Sequence, residues 1–388
     1  MKAGAALVRT ADPGQAARQA VEQARAALGA EPPGFAVLFA SEHFHLTAQI
    51  LLEAVTAEIG PVPLIGCIAE AVAGNTSEAE NEPAVSLFLA AGAEPVETFS
   101  MQFVRTASGG AFGGFQFQPR RPGVCLMICD PFTFPAEHLL SHLNEHAPGM
   151  LVMGGMASGG LGAQRSRLFL DGRVLTEGAV GVYLPETEIH PLVSQGCRPI
   201  GDPFTVTAAE GNLVQELGGR PAVTRLQDLA ASLSGPDREL LAQGVQVGIV
   251  IDEYGGERRQ GAFLIRGILG AQPETGAIAV GAEVEIGQTL QFHVRDAVSA
   301  DQDLQRILAA ETAALGGRRP AGALLFTCNG RGSRMFAEPD HDAGLLAEML
   351  GPVPMAGFFC AGELGPVGGQ NFLHTFTASI ALFPDTAR

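Results

Sequence analysis

The sequence predicts a mixed α/β fold in which repeated strand, helix, turn and strand units form two layered domains with largely buried sheets. A segment that combines proline, glycines and an apolar run occurs three times, at residues 60–70, 147–160 and 351–366. Each copy follows an apolar run of strand length and a stretch with helical spacing, and each precedes another apolar run. Recurrence of this kind indicates a duplicated supersecondary unit rather than one long irregular fold.

The elements of each unit follow from apolar periodicity and from the prolines and glycines that separate them. In the first unit, the helix carries apolar residues three and four positions apart, and Pro61 and Pro63 end it. Runs that are apolar on both faces predict buried strands. The strand, helix and closing strand of the three units are Phe35–Ala40, His45–Ile59 and Ala84–Leu89; Val124–Cys129, Pro135–Glu145 and Ala179–Leu184; and Ala323–Cys328, Ala343–Leu350 and Thr377–Phe383.

The middle of the chain, from about Ile189 to Pro320, does not repeat this unit. Turn residues at 210–212 predict a hairpin between two β-rich runs, and Tyr254-Gly255-Gly256 predicts a loop. Either Ser299 or Asp301 is expected to cap the helix that closes this region. The predicted elements are strands over Pro199–Thr207, Leu213–Ala222, Gln246–Asp252, Ala262–Leu269 and Leu290–Asp296, and helices over Leu226–Leu233 and Asp301–Leu315.

These patterns divide the chain into three parts. Residues 1–33 are predicted to be an N-terminal extension with an amphipathic helix over Gln15–Leu28. Residues 34–189 contain the first two units, and residues 190–388 contain the hairpin region and the third unit. The change from repeated units to hairpins places the predicted domain boundary near residue 190.

Composition excludes several classes of function. The 388 residues include 24 Lys and Arg against 41 Asp and Glu, a net charge of −17, so nucleic acid is not an expected partner. We find no apolar stretch of the roughly 18–20 residues that a bilayer span needs, and no secretory leader. The glycines of residues 154–160 match neither the phosphate loop nor the dinucleotide fingerprint. The sequence therefore predicts a cytoplasmic protein that has no cofactor and no contact with membranes.

Several motifs resemble those of the FIST family. Cys328-Asn329-Gly330-Arg331-Gly332, the segment Gly357–Pro366 and the segment Leu373–Ser379 are similar to the FIST C-terminal domain. Ile65-Gly66-Cys67, Met153-Gly154-Gly155 and Gly178–Val182 are similar to the N-terminal domain. The resemblance covers about residues 34–384. It implies a sensory module that binds a small molecule such as an amino acid.

The resemblance also has consequences for partners and for one loop. The chain lacks room for an output domain, so a separate downstream signalling protein is the expected partner. Family members often carry a small polar stretch ending in Gly-Glu after the N-terminal Gly-Cys, whereas Ile68–Val72 follows Cys67 here. A ligand role is therefore not assigned to that loop.

The candidate ligand site centres on Arg331 and Glu363. Arg331 follows a buried strand, where α/β layers place ligand contacts, and its guanidinium suits a carboxylate. Glu363 suits an amino group. The structural alternatives are an ion pair between these two residues and a Glu363 carboxylate that fixes its loop by accepting backbone hydrogen bonds. The predicted ligand-binding residues are Arg331, Glu363, Asn329, Cys360, Gly362 and Gly155.

Two further groups suggest chemistry by residue type alone. Cys360 and His374 are the types needed for a thiol nucleophile and its base, although most cysteines in apolar runs are core residues. His138, His142 and His146 recur every four residues on one helix, a spacing that suits either a divalent metal or a solvated stripe. The favoured function is a non-catalytic small-molecule sensor. The alternatives are a thiol-dependent enzyme that uses Cys360 and a protein-interaction scaffold.

Overall fold

The structure is a computed structural model that describes residues 1–92, 96–106, 109–117, 123–160, 162–253 and 261–385. The mixed α/β class is confirmed, with several mixed sheets. The chain divides into two compact units, the first formed by Met1–Val193, Gln305–Leu373 and Thr377–Arg388 and the second by Ser194–Leu304 and His374–Phe376. The boundary near residue 190 stays a prediction. The loop predicted at Tyr254-Gly255-Gly256 lies outside the described residues.

The secondary structure consists of runs of strands separated by single helices or, once, by a pair of α-helices. In chain order, the helices are α1 (Pro13–Leu28), α2 (Ala48–Ile59), α3 (Ala136–His146), α4 (Ala222–Ser232), α5 (Gly235–Gln243), α6 (Ala297–Leu315) and α7 (His341–Leu350). The strands are β1 (Lys2–Arg9), β2 (Phe35–Ser41), β3 (Leu64–Ala69), β4 (Val72–Gly74), β5 (Ser77–Ala79), β6 (Ala84–Ala91), β7 (Glu97–Thr106), β8 (Gly109–Gly114), β9 (Gly123–Cys129), β10 (Leu151–Met156), β11 (Leu168–Leu170), β12 (Arg173–Leu175), β13 (Ala179–Pro185), β14 (His190–Gln195), β15 (Cys197–Glu210), β16 (Leu213–Leu217), β17 (Arg220–Pro221), β18 (Val245–Val250), β19 (Phe263–Gln272), β20 (Ala277–Val280), β21 (Thr289–Arg295), β22 (Pro320–Cys328), β23 (Met355–Cys360), β24 (Glu363–Val367), β25 (Gln370–His374) and β26 (Thr377–Pro384). Within the described residues, no helix combines the length and the apolar character needed to cross a membrane.

Three sheets belong mainly to the first compact unit. Their strand orders are β1-β6-β2-β3-β11-β12, β25-β24-β10-β9-β13-β7-β8 and β14-β26-β22-β23-β4-β5. In each sheet, two strands joined by a helix lie parallel, and an antiparallel strand returns beside the first of them. The three strand–helix–strand units are therefore β2-α2-β3 with β6, β9-α3-β10 with β13, and β22-α7-β23 with β26.

The glycine-rich segments predicted as turns are the second parallel strands, β3, β10 and β23. The prediction is wrong because a glycine in the sequence signals either a turn or a close approach of backbones, and each of these glycines lies at a close approach between paired strands. A Cβ atom at Gly66 or Gly154 would lie 1.8 Å from the carbonyl oxygen of Leu38 or Met127, and one at Gly357 would lie 2.2 Å from that of Leu325. These contacts join residues that face each other in the sheet register. A side chain at any of the three positions would collide with the neighbouring backbone.

The N-terminal residues complete the first sheet. Strand β1 pairs with β6 along its full length and has no counterpart among the predicted elements. Helix α1 confirms the predicted amphipathic helix; Asp12 caps it by accepting a 2.7 Å hydrogen bond from the Gln15 amide. Its alanine face is buried, and a Cβ atom at Gly4 would lie 1.9 Å from the Ala24 carbonyl oxygen. Small residues thus let α1 lie close against β1.

The second compact unit is a seven-stranded sheet in the order β15-β21-β18-β19-β20-β16-β17. Strand β15 also pairs with β16, so the sheet closes on itself and β15 and β16 form the predicted hairpin. The predicted helix cap is wrong, because α6 begins at Ala297 and both Ser299 and Asp301 lie inside it. The Asp296 carboxylate instead accepts hydrogen bonds from the Val298 amide and the Ser299 hydroxyl.

Candidate functional site

Carboxyl ends of parallel strands from all three strand–helix–strand units meet in the first compact unit. The Phe359 amide at the end of β23 donates to the Ala71 carbonyl just after β3, at 3.0 Å. The Ala361 amide donates to the carbonyl of Met156, the last residue of β10, at 2.9 Å. In α/β sheets, ligands bind beyond the carboxyl ends of parallel strands. This convergence is therefore the candidate site.

Four polar side chains form its outer cluster, which we define as Glu70, Ser158, Asn329 and Arg334. The Ser158 hydroxyl accepts a 2.9 Å hydrogen bond from the Glu70 amide. The Glu70 carboxylate accepts a 3.2 Å hydrogen bond from Asn329 Nδ2 and forms an ion pair with Arg334 Nη2. Arg334 Nη1 donates to the Asn329 carbonyl at 2.8 Å. The side chains of Glu70 and Arg334 are 30% and 55% exposed, so solvent reaches this ion pair.

A second layer, the inner cluster, consists of Arg331, Asp342, Glu78 and Glu363, all of which are buried. Arg331 Nε and Nη2 donate to the two Asp342 oxygens at 2.8 and 2.7 Å, a bidentate pair. Burial raises the pKa of Asp342, but the charge and hydrogen bonds of Arg331 outweigh it and hold that pKa well below its ordinary value. Arg331 therefore pairs with Asp342, and of the alternatives left open by the sequence, an ion pair between Arg331 and Glu363 is not the one formed.

Glu78 joins this pair to the first turn of α7. Its Oε1 atom accepts hydrogen bonds from the Asp342 and Ala343 amides at 2.9 and 3.1 Å, where a carboxylate caps the free N–H groups of a helix. Burial, together with the negative charge of Asp342, raises the pKa of Glu78. The first turn of α7 thus contains the buried carboxyl group of Asp342, which pairs with the Arg331 guanidinium, and its amides donate to the buried carboxyl group of Glu78.

Glu363 is the first residue of β24 and faces Gly155 of β10 in the sheet register. Its Oε2 atom accepts hydrogen bonds from the Thr377 amide at 3.1 Å and from the Thr377 hydroxyl at 2.8 Å. Burial raises the pKa of Glu363 to about 8, although the Thr377 hydrogen bonds and the charge of Arg331 act in the opposite direction. Near neutral pH this carboxyl group therefore holds its proton in most molecules.

Three buried atoms of the inner cluster lack a hydrogen-bond partner within the described residues: Arg331 Nη1, Glu78 Oε2 and Glu363 Oε1. The Cys328 thiol lies near Glu363 and favours its ionised form. Buried polar atoms without partners are uncommon and call for a bound water, an ion or a ligand. Arg331 Nη1 is thus an available donor, and Glu78 Oε2 and Glu363 Oε1 are acceptors once their carboxyl groups are ionised.

The structure brings the six predicted ligand residues into one neighbourhood. Gly155 faces Glu363 in the sheet register, and a Cβ atom at Gly155 would lie 2.4 Å from Cys360 Sγ and 3.0 Å from the Gly362 carbonyl oxygen. The Asn329 amide donates to the Cys360 carbonyl at 2.8 Å. Arg331 follows two residues after Asn329, and its amide donates to the Cys328 carbonyl at 2.9 Å.

Four charged residues of the site were not predicted: Glu70, Glu78, Arg334 and Asp342. Asp342 could have been found, because an acidic residue in the first turn of a helix suits the helix dipole and lies within reach of the preceding loop. Glu70 directly follows a buried strand, a position that also favours a site residue. Glu78 meets Asp342 across 264 residues of sequence, and no local pattern signals that contact.

Comparison with known families matches nearly the whole chain. The FIST N domain profile matches residues 34–220, and the FIST C domain profile matches residues 222–366. The chain belongs to the FIST family. It is 48% identical over 385 residues to the uncharacterized protein Rv0628c of Mycobacterium tuberculosis (strain ATCC 25618 / H37Rv), covering 99% of this chain and 100% of that relative. It is 49% identical over 385 residues to the uncharacterized protein Mb0898c of Mycobacterium bovis (strain ATCC BAA-935 / AF2122/97), covering 99% of each chain.

FIST domains are sensory, signal-transduction modules, so this FIST protein carries such a module. The candidate site draws on both domains. Glu70, Glu78 and Ser158 lie within the residues matched by the FIST N profile, and Asn329, Arg331, Asp342 and Glu363 lie within those matched by FIST C. All of these residues nevertheless belong to the first compact unit.

The residues considered for catalysis are enclosed by protein. Cys360 and His374 are 0% and 1% exposed. Burial, with the nearby charge of Glu363, raises the pKa of the Cys360 thiol well above its ordinary value, which disfavours the reactive thiolate. The geometry around Cys360 in this FIST protein is that of a core thiol.

The three histidines considered for metal binding lie on the exposed side of α3. The rings of His142 and His146 stack with their centroids 4.3 Å apart, and His146 Nδ1 lies 3.1 Å from the His142 carbonyl oxygen. Among the residues that the structure describes, no three or more His, Cys, Asp or Glu side chains are grouped so that they could hold a metal ion.

Proposed function

We propose that this FIST protein is a non-catalytic cytoplasmic sensor that binds an amino acid or a similar small carboxylate at the inner cluster. The observation that carries the proposal is the presence, in one buried cluster, of an unpartnered guanidinium nitrogen and an unpartnered carboxyl oxygen, Arg331 Nη1 and Glu363 Oε1. An amino acid offers the complement of both, because its carboxylate accepts from a guanidinium and its ammonium donates to a carboxylate.

Contacts around these two atoms support the same ligand class. Asn329 offers a side-chain amide at the edge of the cluster, and Gly155, which faces Glu363 in the sheet register, adds no side chain beside it. Cys360 contributes an apolar wall. The common topology of the three strand–helix–strand units supports the predicted internal repeat and explains why several strand ends are available to surround one ligand.

Ligand entry requires the outer cluster to move, because Arg331 and Glu363 are both fully buried. The segment from Asn329 to Arg334, which contains Arg331, is held to the residue after β3 by the Glu70–Arg334 ion pair. Exposed ion pairs of this type contribute about 0–1 kcal/mol, so opening them costs little. We assign the signal to this movement: ligand binding changes the position of residues 329–334, which a separate downstream signalling protein then recognises.

Thermal unfolding with a panel of amino acids and small carboxylates tests the proposal. At least one compound is expected to raise the Tm of the wild type, since a ligand that binds only the folded state stabilises it. Glu363→Gln should abolish the shift for amino acids, because the amide cannot pair with an ammonium, while its oxygen still accepts from Thr377.

The matched control is Glu348→Gln, the same substitution at an exposed position of α7, which should leave the ligand-induced shift unchanged. Absence of any shift across the panel in the wild type would count against a small-carboxylate sensor. Equal shifts in wild type and Glu363→Gln would exclude Glu363 as the ammonium contact.

A further inference from the structure

A cavity in the first compact unit lies between helix α3 and the segment that contains strands β7 and β8. It has a volume of about 670 Å³ and shares no residue with the inner or outer cluster. Binding sites for small molecules are typically apolar clefts of about 300–1,000 Å³ with a few polar groups. This cavity matches that description in size.

Partly buried aromatic rings form much of the cavity wall. Phe112, Phe115 and Phe117 line it and pack against the core below without being fully covered. The rings of Phe115 and Phe117 meet edge to face with their centroids 5.0 Å apart. On α3, the buried Leu139 and Leu143 close the opposite wall. A flat aromatic ligand would cover these faces and remove apolar area from water.

Three of the polar side chains that line the cavity lie on the α3 wall, and Gln116 lies on the other. His138, His142 and His146 project from α3, one turn apart, and the side chains of Glu137 and Glu145 do not line the cavity. His146 Nδ1 lies 3.8 Å from the Glu145 carboxylate, which competes with any anion at that end. His138 and His142 therefore remain to donate ring N–H groups to an anionic substituent.

We propose that this cavity binds a planar aromatic molecule that carries one carboxylate or sulfonate, with the rings against Phe112, Phe115 and Phe117 and the anion at His138 and His142. This site is separate from the proposed amino-acid site and does not depend on it. It also gives the histidine stripe a role that does not require a metal.

Fluorescence titration with two related probes tests the site. The anionic probe is 1-anilinonaphthalene-8-sulfonate, and the matched uncharged probe is N-phenyl-1-naphthylamine, which has the same rings without the sulfonate. Wild type should bind the anionic probe saturably at one site and more tightly than the uncharged probe. Phe117→Ala should weaken both probes about tenfold or more, because it removes an aromatic wall.

Two further variants make the outcome specific. Phe132→Ala is the matched control, because Phe132 is an exposed ring that does not line this cavity, and it should leave both affinities unchanged. The double variant His138→Ala/His142→Ala changes exposed side chains only and should remove the preference for the anionic probe, a loss of about fivefold or more. Unsaturable binding in wild type, equal losses in Phe117→Ala and Phe132→Ala, or an unchanged preference in the histidine variant would each overturn the proposal.

Discussion

At the scale of single residues, the Arg331–Asp342 pair determines how the start of α7 is held. Both side chains are at most 1% exposed, and Asp342 also accepts a 2.6 Å hydrogen bond from the Thr327 hydroxyl. Removing one partner of a buried pair leaves a charge without compensation, which costs about 3–5 kcal/mol. We therefore expect Asp342→Asn to lower the free energy of unfolding by about that amount in urea denaturation.

A double variant separates the charge from the packing. Arg331→Met with Asp342→Leu replaces both charges by apolar side chains, so it should recover much of the stability that Asp342→Asn loses. If Asp342→Asn unfolds within about 1 kcal/mol of wild type, the pair does not stabilise the fold as argued.

Glu363 gives stability a pH dependence of defined sign. Its pKa in the folded protein is raised by burial to about 8, against an ordinary value of 4.5. The folded state thus holds a proton that the unfolded chain releases, and this contribution is fully present below pH 4.5 and is lost as the pH rises through about 8. Wild type should therefore lose more unfolding free energy than Glu363→Gln between about pH 5.5 and pH 8.5.

Because Glu363 is protonated in the free protein near pH 7, we predict that binding of the proposed ligand is coupled to release of a proton. An ammonium beside Glu363 favours the carboxylate, so amino-acid binding near pH 7 should release a proton. Calorimetry in buffers of different ionisation enthalpy measures that release. If the unfolding free energies of wild type and Glu363→Gln depend on pH in the same way, Glu363 titrates normally. Glu78, whose pKa is also raised, would then be tested by Glu78→Gln.

At the scale of elements, the glycines of β3, β10 and β23 set the spacing of each parallel strand pair. Gly357→Ala would place a Cβ atom 2.2 Å from the Leu325 carbonyl oxygen, so the strands must separate or the variant must unfold. We expect a loss of several kcal/mol in urea denaturation, as for other changes that force backbone apart.

The matched control for this prediction is Gly344→Ala on α7, where an added Cβ atom would meet nothing within 4 Å. Alanine there should stabilise the protein by about 0.5–1 kcal/mol, because glycine disfavours a helix. If both substitutions change the unfolding free energy by a similar, small amount, β22 and β23 can move apart without loss of stability.

The sequence predicts the first parallel strand of each unit well and the glycine-containing second strand poorly. The strands β2, β9 and β22 are continuous apolar runs, and the sequence predicts each within three residues at either end. The segments at Gly66, Gly154 and Gly357 have the composition of turns, because a residue without a side chain signals either a turn or a close approach. Only the position of the neighbouring strand separates these two cases.

At the scale of the whole molecule, the candidate site could be predicted in part. Asn329, Arg331 and Glu363 follow or flank apolar runs that predict strands, and residues at strand ends are candidates for a binding site. Their partners could not be predicted, because Glu70 and Glu78 reach the site from more than 250 residues away in sequence. Those contacts depend on how three similar strand–helix–strand units pack, which no local pattern encodes.

The proposed sensing mechanism treats the Glu70–Arg334 ion pair as a latch between two of these units. If the latch stabilises the closed arrangement of residues 329–334 in the free protein, removing it should increase the fraction of open molecules. A protein whose competent state is more populated binds its ligand more tightly. Arg334→Ala is therefore expected to raise the affinity for the stabilising amino acid and to speed hydrogen exchange at residues 329–334 without ligand.

Glu82→Gln is a suitable control for this last prediction, because the exposed Arg9–Glu82 ion pair is of the same kind and lies outside the outer cluster. That variant should change neither affinity nor exchange at residues 329–334. Lower affinity in Arg334→Ala with unchanged exchange would mean that Arg334 contacts the ligand itself. The outer cluster would then be part of the binding site, and the movement that transmits the signal would have to lie elsewhere in the first compact unit.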